Sequence, residues 1–280
     1  MNAIGPLTKI NGTIVLAGAG KMGGAMLSGW LAQGLDARRV AVIEPHPSEE
    51  IRSYLAGGVR LNPSAKEAGH IAAFVVALKP QAFREAGPAL KPYVDATTLV
   101  VSIMAGMTIG SITEVLTGKD LGGHVVRAMP NTPAAIGRGI TVAVAAKTVS
   151  HAQRETADGL LRATGSVEWV TDEGLMDAVT AVSGSGPAYI FLLAEELARA
   201  GIAAGLPEAL ATKLARETVA GSGELLHRSE LSAEVLRQNV TSPGGTTAAA
   251  LAVLMGQDGL QSLLTRAVAA ATKRSKELAK

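Results

Sequence analysis

From Gly12 to Val170 the sequence alternates short, almost continuously apolar runs with stretches of helical character, and past Val170 the alternation stops. "GTIVLAG" leads into a helix expected from about Lys21 to Gln33, and "RRVAVIE" into a helical "SEEIRSYLA". "IAAFVVAL" leads into a helix after Pro80, and "TTLVVSI" and "GHVVRAM" follow as further strands. "ITVAVAA" and "GSVEWV" extend the same sheet, with a helix from about Ser150 to Ala163 between them. Strands that are apolar on both faces and separated by helices imply a parallel sheet covered on both sides. Every later segment fits the helical period instead: "GLMDAVTAVSG", "GPAYIFLLAEELARAG", "PEALATKLARETVAGSGELLH", "SAEVLRQN", "TTAAALAVLM" and "LQSLLTRAVAAATKRSKEL". In the last of these Leu260, Leu264, Val268 and Ala271 share one face, with Gln261, Arg266 and Lys273 off it. The expected organisation is an α/β domain over 1–170 and an all-α domain over 171–280, packed directly because no low-complexity linker divides them.

Composition narrows the function classes. There is no cysteine, which excludes disulfides and thiolate chemistry and makes a cytoplasmic location the expectation. A net charge of +2 with only 3% aromatic residues offers neither a basic block nor a stacking platform, so no nucleic-acid partner is expected. Nearly half the residues (48%) are hydrophobic, yet the longest runs fall far short of the ~18 residues that span a bilayer. The N-terminus lacks the basic, apolar and small-residue succession of a signal peptide. No cluster has metal-ligand spacing, so no metal is expected. The apolar content goes into helices that are greasy around most of their circumference: "PAYIFLLAEELARAG" carries only Glu195, Glu196 and Arg199 as charges. A helical domain of this length cannot bury such faces alone, and an intimate homo-oligomer follows.

"GAGKMG" sets Gly18, Gly20 and Gly23 in a G-x-G-x-x-G frame directly after the first strand and opening the first helix. Gly18 permits the tight turn, Gly20 lets backbone approach a pyrophosphate, and Gly23 lets helix pack on strand, with the helix N-terminus facing the phosphates. Ala19, Lys21 and Met22 fall within the same turn. In this strand–turn–helix context the motif points to a Rossmann-type dinucleotide site. Glu44 ends the second strand about 20 residues further on, where an acidic side chain bonds the adenosine ribose and favours NAD. Arg38, Arg39 and Arg52 are near in sequence as cations for a 2′-phosphate, so NADPH stays open beside NADH. "ALKP" (Ala77, Leu78, Lys79, Pro80) closes the fourth strand at the sheet edge where ligands bind, and "SIMAG", with Met104 and Ala105, closes the fifth. Lys79 is a candidate acid, but the proline after it biases it to an extended conformation and makes a backbone contact at least as good a reading.

"NVTSPGGTTAAAL" (Asn239 to Leu251) carries no charge, no histidine and no cysteine. Hydroxyls and glycines before an alanine-rich helix are good N-cap chemistry. Consecutive N–H groups of a Gly-Gly turn at a helix N-terminus are equally a cradle for an anion. Both readings stand on the residues alone.

Taken together, "GAGKMG", "ALKPQ", "SIMAG", "RAMPNTPA", "DAVTAVSGSGPAY", "AGIAAGLP" and "NVTSPGGTT" resemble the pyrroline-5-carboxylate reductases over almost the whole chain. The resemblance implies a Rossmann-type N-terminal domain followed by an all-α dimerisation domain. It implies reduction of the C=N bond of 1-pyrroline-5-carboxylate to L-proline by hydride from NADPH or NADH, the final step of proline synthesis. It also implies interlocked dimers, assembled in many members into decamers, with each active site shared between subunits. On this reading Ser242, Gly244, Gly245 and Thr246 hold the substrate carboxylate, and Thr247 contacts the ring nitrogen and is the catalytic candidate. Glu230 aligns near the substrate, Asn62 and Asn239 align with cofactor contacts, and Glu173 falls near an acidic position. His124 and His227 lie in no motif and read as structural. Two departures stand out: Lys21 where the family often has asparagine, and "IEPHP", which lacks the Ser/Arg cluster of NADP-preferring relatives. The nearest enzymatic rival, a β-hydroxyacid dehydrogenase, needs a basic lysine on the second domain, and the only lysine between residue 171 and the final helix is Lys213. A nucleotide-sensing protein that kept the fold is the non-catalytic alternative.

Overall fold

The computed structural model describes Leu7, residues 10–118 and residues 123–278. Residues 1–6 and 8–9, which include much of the stretch read as lacking a signal peptide, lie outside the described residues. Eight strands form one sheet: β1 (Thr13–Ala17), β2 (Val40–Ile43), β3 (Arg60–Leu61), β4 (Ile71–Val76), β5 (Leu99–Ser102), β6 (His124–Met129), β7 (Gly139–Ala145) and β8 (Gly165–Val170). Their order is β3-β2-β1-β4-β5-β6-β7-β8. All pairs from β3 to β6 are parallel, which gives a six-stranded doubly wound core whose strand order reverses between β1 and β4.

The parallel sheet expected from the sequence holds for these six strands and needs correction beyond them. β7 runs antiparallel to β6, and β8 is parallel to β7. The cause is the connection. Pro130–Arg138 holds only a 3-10 turn at Thr132–Ile136, too short for the crossover of a dozen or more residues that a parallel return needs. β3 is too short to leave an apolar run in the sequence, and its pairing with β2 comes from tertiary contact.

Helices α1 (Lys21–Ala32), α2 (Glu49–Ser53), α3 (Ala65–Ala68), α4 (Pro80–Leu90), α5 (Ile109–Leu116) and α6 (His151–Arg162) lie between strands. Successive strand side chains point to opposite faces. Ile14 and Leu16 therefore pack with Met26, Leu27 and Trp30 of α1 and Leu160 of α6, whereas Val15 and Ala17 pack with Phe83 of α4 and Ile112 of α5. Trp30 is fully buried, and its indole N–H donates to the Leu160 carbonyl at 2.8 Å, joining α1 to α6. Leaving that donor unpaired would cost about 1–3 kcal/mol.

By packing, the chain divides into Met1–Gly184 together with Thr272–Lys280, and Ser185–Ala271. The boundary expected at 170/171 coincides with the end of β8, but the next residues stay with the first unit because Met176 and Ala181 are fully buried there. "GLMDAVTAVSG" also departs from the single helix expected. It forms a 3-10 turn (Glu173–Leu175), α7 (Met176–Val179) and a π turn (Thr180–Gly184). The hydroxyls of Thr180 and Ser183 donate to the carbonyls of Met176 and Val179, at 2.8 and 3.0 Å, and such back-bonding distorts a helix.

The second unit contains α8 (Gly186–Ala203), α9 (Glu208–Arg228), α10 (Ala233–Asn239), α11 (Thr246–Leu254) and the start of α12 (Leu260–Leu278). Among its described residues only Ala198, Ala211 and Ala215 are buried, while Phe191 is 68% and Val253 76% exposed. The last turns of α12 belong to the first unit. Ser275 is buried and donates to Asp177 at 2.6 Å, and Leu278 lies against Gly106. No described helix is long and apolar enough to cross a membrane.

Candidate active site

The carboxyl edge of the first unit's sheet gathers the sequence-predicted residues around the reversal between β1 and β4. At Gly18 the chain turns with φ +91°, and a side chain there would also strike the Ala77 carbonyl. Gly20 is the N-cap of α1 and makes no side-chain cap, and a Cβ on it would point into open space. On Gly23 a Cβ would overlap the Gly18 carbonyl oxygen. The first helical N–H groups, those of Lys21 and Met22, meet no acceptor among the described residues. An uncapped helix N-terminus with open space over Gly20 fits a pyrophosphate.

Next to this turn, the Ala77 N–H donates to the Ala17 carbonyl at 2.8 Å and the Ile103 N–H to the Val76 carbonyl at 3.0 Å, aligning the ends of β1, β4 and β5. Lys79 is the extended N-cap of α4 with Pro80 beginning the helix, as the proline demands, and its side chain is exposed. Met104 is buried in the sheet's core, its N–H donating to the Ser102 hydroxyl at 3.3 Å; Ala105, which follows it, is exposed. A cavity of about 250 Å³ opens here, lined by Met22, Ala77, Ile103, Met129, Asn131 and Gly184 among others. Its mostly apolar walls suit a nicotinamide ring. Met129, Pro130, Asn131 and Thr132 of this lining are not among the residues that the sequence motifs assign to the site. The signal for them is "MPNT" directly after an apolar strand, turn chemistry at the ligand edge of a parallel sheet. Asn131 shapes this wall by accepting the Ile140 N–H at 2.9 Å.

Glu44 lies at the end of β2, with its carboxylate turned toward the glycine loop. One oxygen accepts the Ala19 N–H at 2.9 Å, the other the His46 N–H at 3.0 Å. Asn62 does not reach past it. Its side-chain oxygen accepts the Glu44 N–H at 2.8 Å, and its side-chain nitrogen donates to the Glu44 carbonyl at 3.0 Å. The cations named for a 2′-phosphate need correction. Arg38 and Arg39 precede β2, at the opposite edge of the sheet; Arg38 is held by Asp36 at 2.7 Å, and the Arg39 Nε donates to the Gly12 carbonyl. The hydrogen bond from Arg38 holds the Asp36 carboxyl down at about 2. Sequence proximity misled because a strand separates its two ends by its whole length. Arg52 lies exposed on α2.

In the second unit, Ser242-Pro243-Gly244-Gly245 forms a turn closed by the Gly245 N–H on the Ser242 carbonyl at 3.0 Å. Proline at its second position and Gly244 at φ +71° at its third are the type II pattern. The turn delivers Gly245 as the N-cap of α11, and no side chain caps it. Among the described residues the hydroxyls of Ser242, Thr246 and Thr247 have no hydrogen-bond partner, whereas Thr241 is turned back onto the Arg237 carbonyl. The capping alternative is therefore not what these hydroxyls do in the structure. Glu230 lies exposed before α10, and Asn239 is the last residue of α10. Within one chain α10 thus separates Glu230 from the Ser242–Thr247 turn by roughly 10 Å of helix.

Two of the remaining candidates make contacts within the fold of the first unit. Glu173 accepts the Ile109 N–H at 2.8 Å and pairs with the buried Arg127 at 3.0 Å, fastening the 171–175 segment to α5 and β6. The ring nitrogens of His124 lie on the carbonyls of Thr148 and Ala96, at the amino edge of the sheet. His227 is in the last turn of α9. Among the described residues no group of three or more acidic or imidazole side chains is arranged to hold a metal ion.

Comparison with known proteins places this geometry. Residues 173–278 match the family model for pyrroline-5-carboxylate reductase dimerisation, and residues 13–106 match that described as NADP oxidoreductase, coenzyme F420-dependent. The pyrroline-5-carboxylate reductase of Synechocystis sp. is 42% identical over 275 residues, covering 95% of this chain and 97% of its own. The solved pyrroline-5-carboxylate reductase of Coxiella burnetii superposes with a TM-score of 0.85 at 35% identity, covering 96% of this chain and 99% of its own. That of Plasmodium falciparum, solved with NADP bound, gives 0.79 at 28% identity over 97% and 99%. With full-length relatives at this identity and the Gly-rich edge and helical turn both present, the chain belongs to the pyrroline-5-carboxylate reductase family.

Proposed function

We propose that the protein reduces 1-pyrroline-5-carboxylate to L-proline with NADPH or NADH, the reaction that closes proline synthesis. The observation that carries this reading is the Ser242–Thr247 turn: the Gly245 N–H closes it, while among the described residues the hydroxyls of Ser242, Thr246 and Thr247 and the N–H groups of Thr246 and Thr247 have no partner at the start of α11. The substrate is a small anion. Backbone N–H groups and the Ser242 hydroxyl hold its carboxylate without a fixed cation. Thr247 donates to the lone pair of the ring nitrogen and orients the C=N bond; as C5 is reduced, that nitrogen takes up one proton along this bond, and the Thr247 hydroxyl regains one from solvent. The reduced nicotinamide, when bound, supplies the hydride that adds to C5. Gly18 to Gly23 hold the pyrophosphate, the cavity between Met22 and Asn131 holds the ring, and Glu44 holds the adenosine ribose. An imine is itself basic, so no strong acid–base residue is required, and Lys79 contributes through its backbone.

The carboxylate of Glu44, fixed by two backbone donors, repels a 2′-phosphate and bonds a ribose diol, so measurable use of NADH is part of the proposal. So is a dimer in which one subunit's nucleotide site works with its partner's α10–α11 turn; decamers built from such dimers are the further assembly state. The relative solved with NADP bound supports nicotinamide chemistry at the same fold. The test is an assay of purified protein with each cofactor in turn. NAD(P)H oxidation that starts only when pyrroline-5-carboxylate is added supports the reading, and oxidation indifferent to that addition removes it.

A further inference from the structure

We infer that Asn62 is a specificity-determining residue for the cofactor, acting as a positioning residue through Glu44 and not on the cofactor itself. The inference rests on the reading of Glu44 as the ribose partner. β3 pairs with β2 only through Arg60 and Leu61, opposite Ala41 and Val42. At Asn62 the backbone donates once more, to the Val42 carbonyl at 2.7 Å, and then turns away with φ +49°. It is the only described residue other than glycine with positive φ. Pro63 follows and has no N–H, so the strand cannot continue its ladder.

Glu44 would therefore lose its neighbour on the β3 side. The amide of Asn62 supplies it instead, accepting the Glu44 N–H and donating to the Glu44 carbonyl as a paired strand residue would. Asparagine is suited twice: it tolerates the left-handed conformation, and its side chain presents a donor group and an acceptor group side by side. Both ends of the amide are engaged on the Glu44 backbone, which fixes the orientation of the side chain. What it fixes is where β2 stops, and so where the Glu44 carboxylate meets Ala19 and His46 at the rim of the glycine turn. A carboxylate held there discriminates between a ribose diol and a 2′-phosphate. One that drifts does so less well.

The experiment measures kcat/KM for NADH and NADPH in four full-length proteins: wild type, Asn62→Gly, Glu44→Ser and the double variant. Glycine keeps the positive φ and removes only the amide. The expected result is that Asn62→Gly lowers the NADH/NADPH ratio by ~3- to 10-fold, the scale of one or two net hydrogen bonds, mainly through KM for NADH. In the Glu44→Ser background the same change should leave the ratio where Glu44→Ser alone puts it. Should Glu44→Ser shift the ratio while Asn62→Gly does not, Asn62 has no positioning role and the reading of Glu44 survives. An equal Asn62 effect in both backgrounds means direct contact with the cofactor and overturns the inference. If Glu44→Ser itself leaves the ratio alone, the reading of Glu44 and the inference fall together. Asn62→Ala, which also removes the amide and adds no charge beside the 2′-phosphate position, replaces Asn62→Gly if the glycine variant fails to fold, with the same expected direction.

Discussion

Gly18, Gly20 and Gly23 are equally plain in the sequence, but they answer to different forces. Gly18 is required by backbone conformation and by the Ala77 carbonyl, Gly23 by the overlap of any side chain with Gly18, and Gly20 by nothing in the protein itself. The contrast yields a prediction. Gly23→Ala should destabilise the fold by about 1–3 kcal/mol, the cost of an overpacked contact, visible as a lower thermal midpoint. Gly20→Val should cost at most about 1 kcal/mol, as a poorer N-cap, and yet abolish NAD(P)H binding. Normal cofactor affinity in a folded Gly20→Val protein would take the turn out of the site. The motif was legible because each role needs the same residue type at a fixed spacing. The anchoring of Glu44 was not, because Asn62 and Ala19 come to it from loops whose placement depends on the whole sheet.

At the scale of elements, the type II turn before α11 separates two readings that the residues alone left open. With Gly245 as an uncapped N-cap and the hydroxyls unpaired, Thr247→Ala should change stability by less than about 0.5 kcal/mol, as a surface substitution does. Turnover should fall by ~10- to 1000-fold if Thr247 is the donor to the imine nitrogen. Ser242→Ala should instead raise KM with little loss of kcat, because the carboxylate is held equally in ground and transition states. Unchanged kinetics in both variants would return the turn to a purely structural role. Strand and helix positions were well read wherever the apolar period ran long enough. The direction of β7 and the π turn at Thr180–Gly184 were hidden, one in the length of a connection and the other in two hydroxyls that turn back on their own helix.

For the whole molecule, the exposed faces of α8 and α11 decide the assembly. Fully burying a leucine, isoleucine or phenylalanine is worth about 1.5–3 kcal/mol, and Ile190, Phe191, Leu192, Leu193 and Val253 all lie substantially open in one chain. Sedimentation at micromolar concentration should find a dimer or larger; a stable monomer would contradict both the composition and the proposed sharing of the site. Mixing Gly20→Val with Thr247→Ala protein tests the sharing, since a mixed dimer would hold one doubly damaged site and one intact site. Activity should reappear on subunit exchange, and proven exchange without recovery would assign each site to one chain. The closing turns of α12 add a matter of timing. Ser275, the partner of Asp177, and Leu278, the neighbour of Gly106, belong to the first unit although the whole of Ser185–Ala271 is synthesised before them. At the usual 5–20 residues per second, the ribosome finishes β8 and α7 roughly 5–20 s before it supplies them. During that interval the nascent chain carries the entire glycine turn and sheet, but the nucleotide unit is still waiting for its final piece. A chain stopped at Ala271 would wait indefinitely.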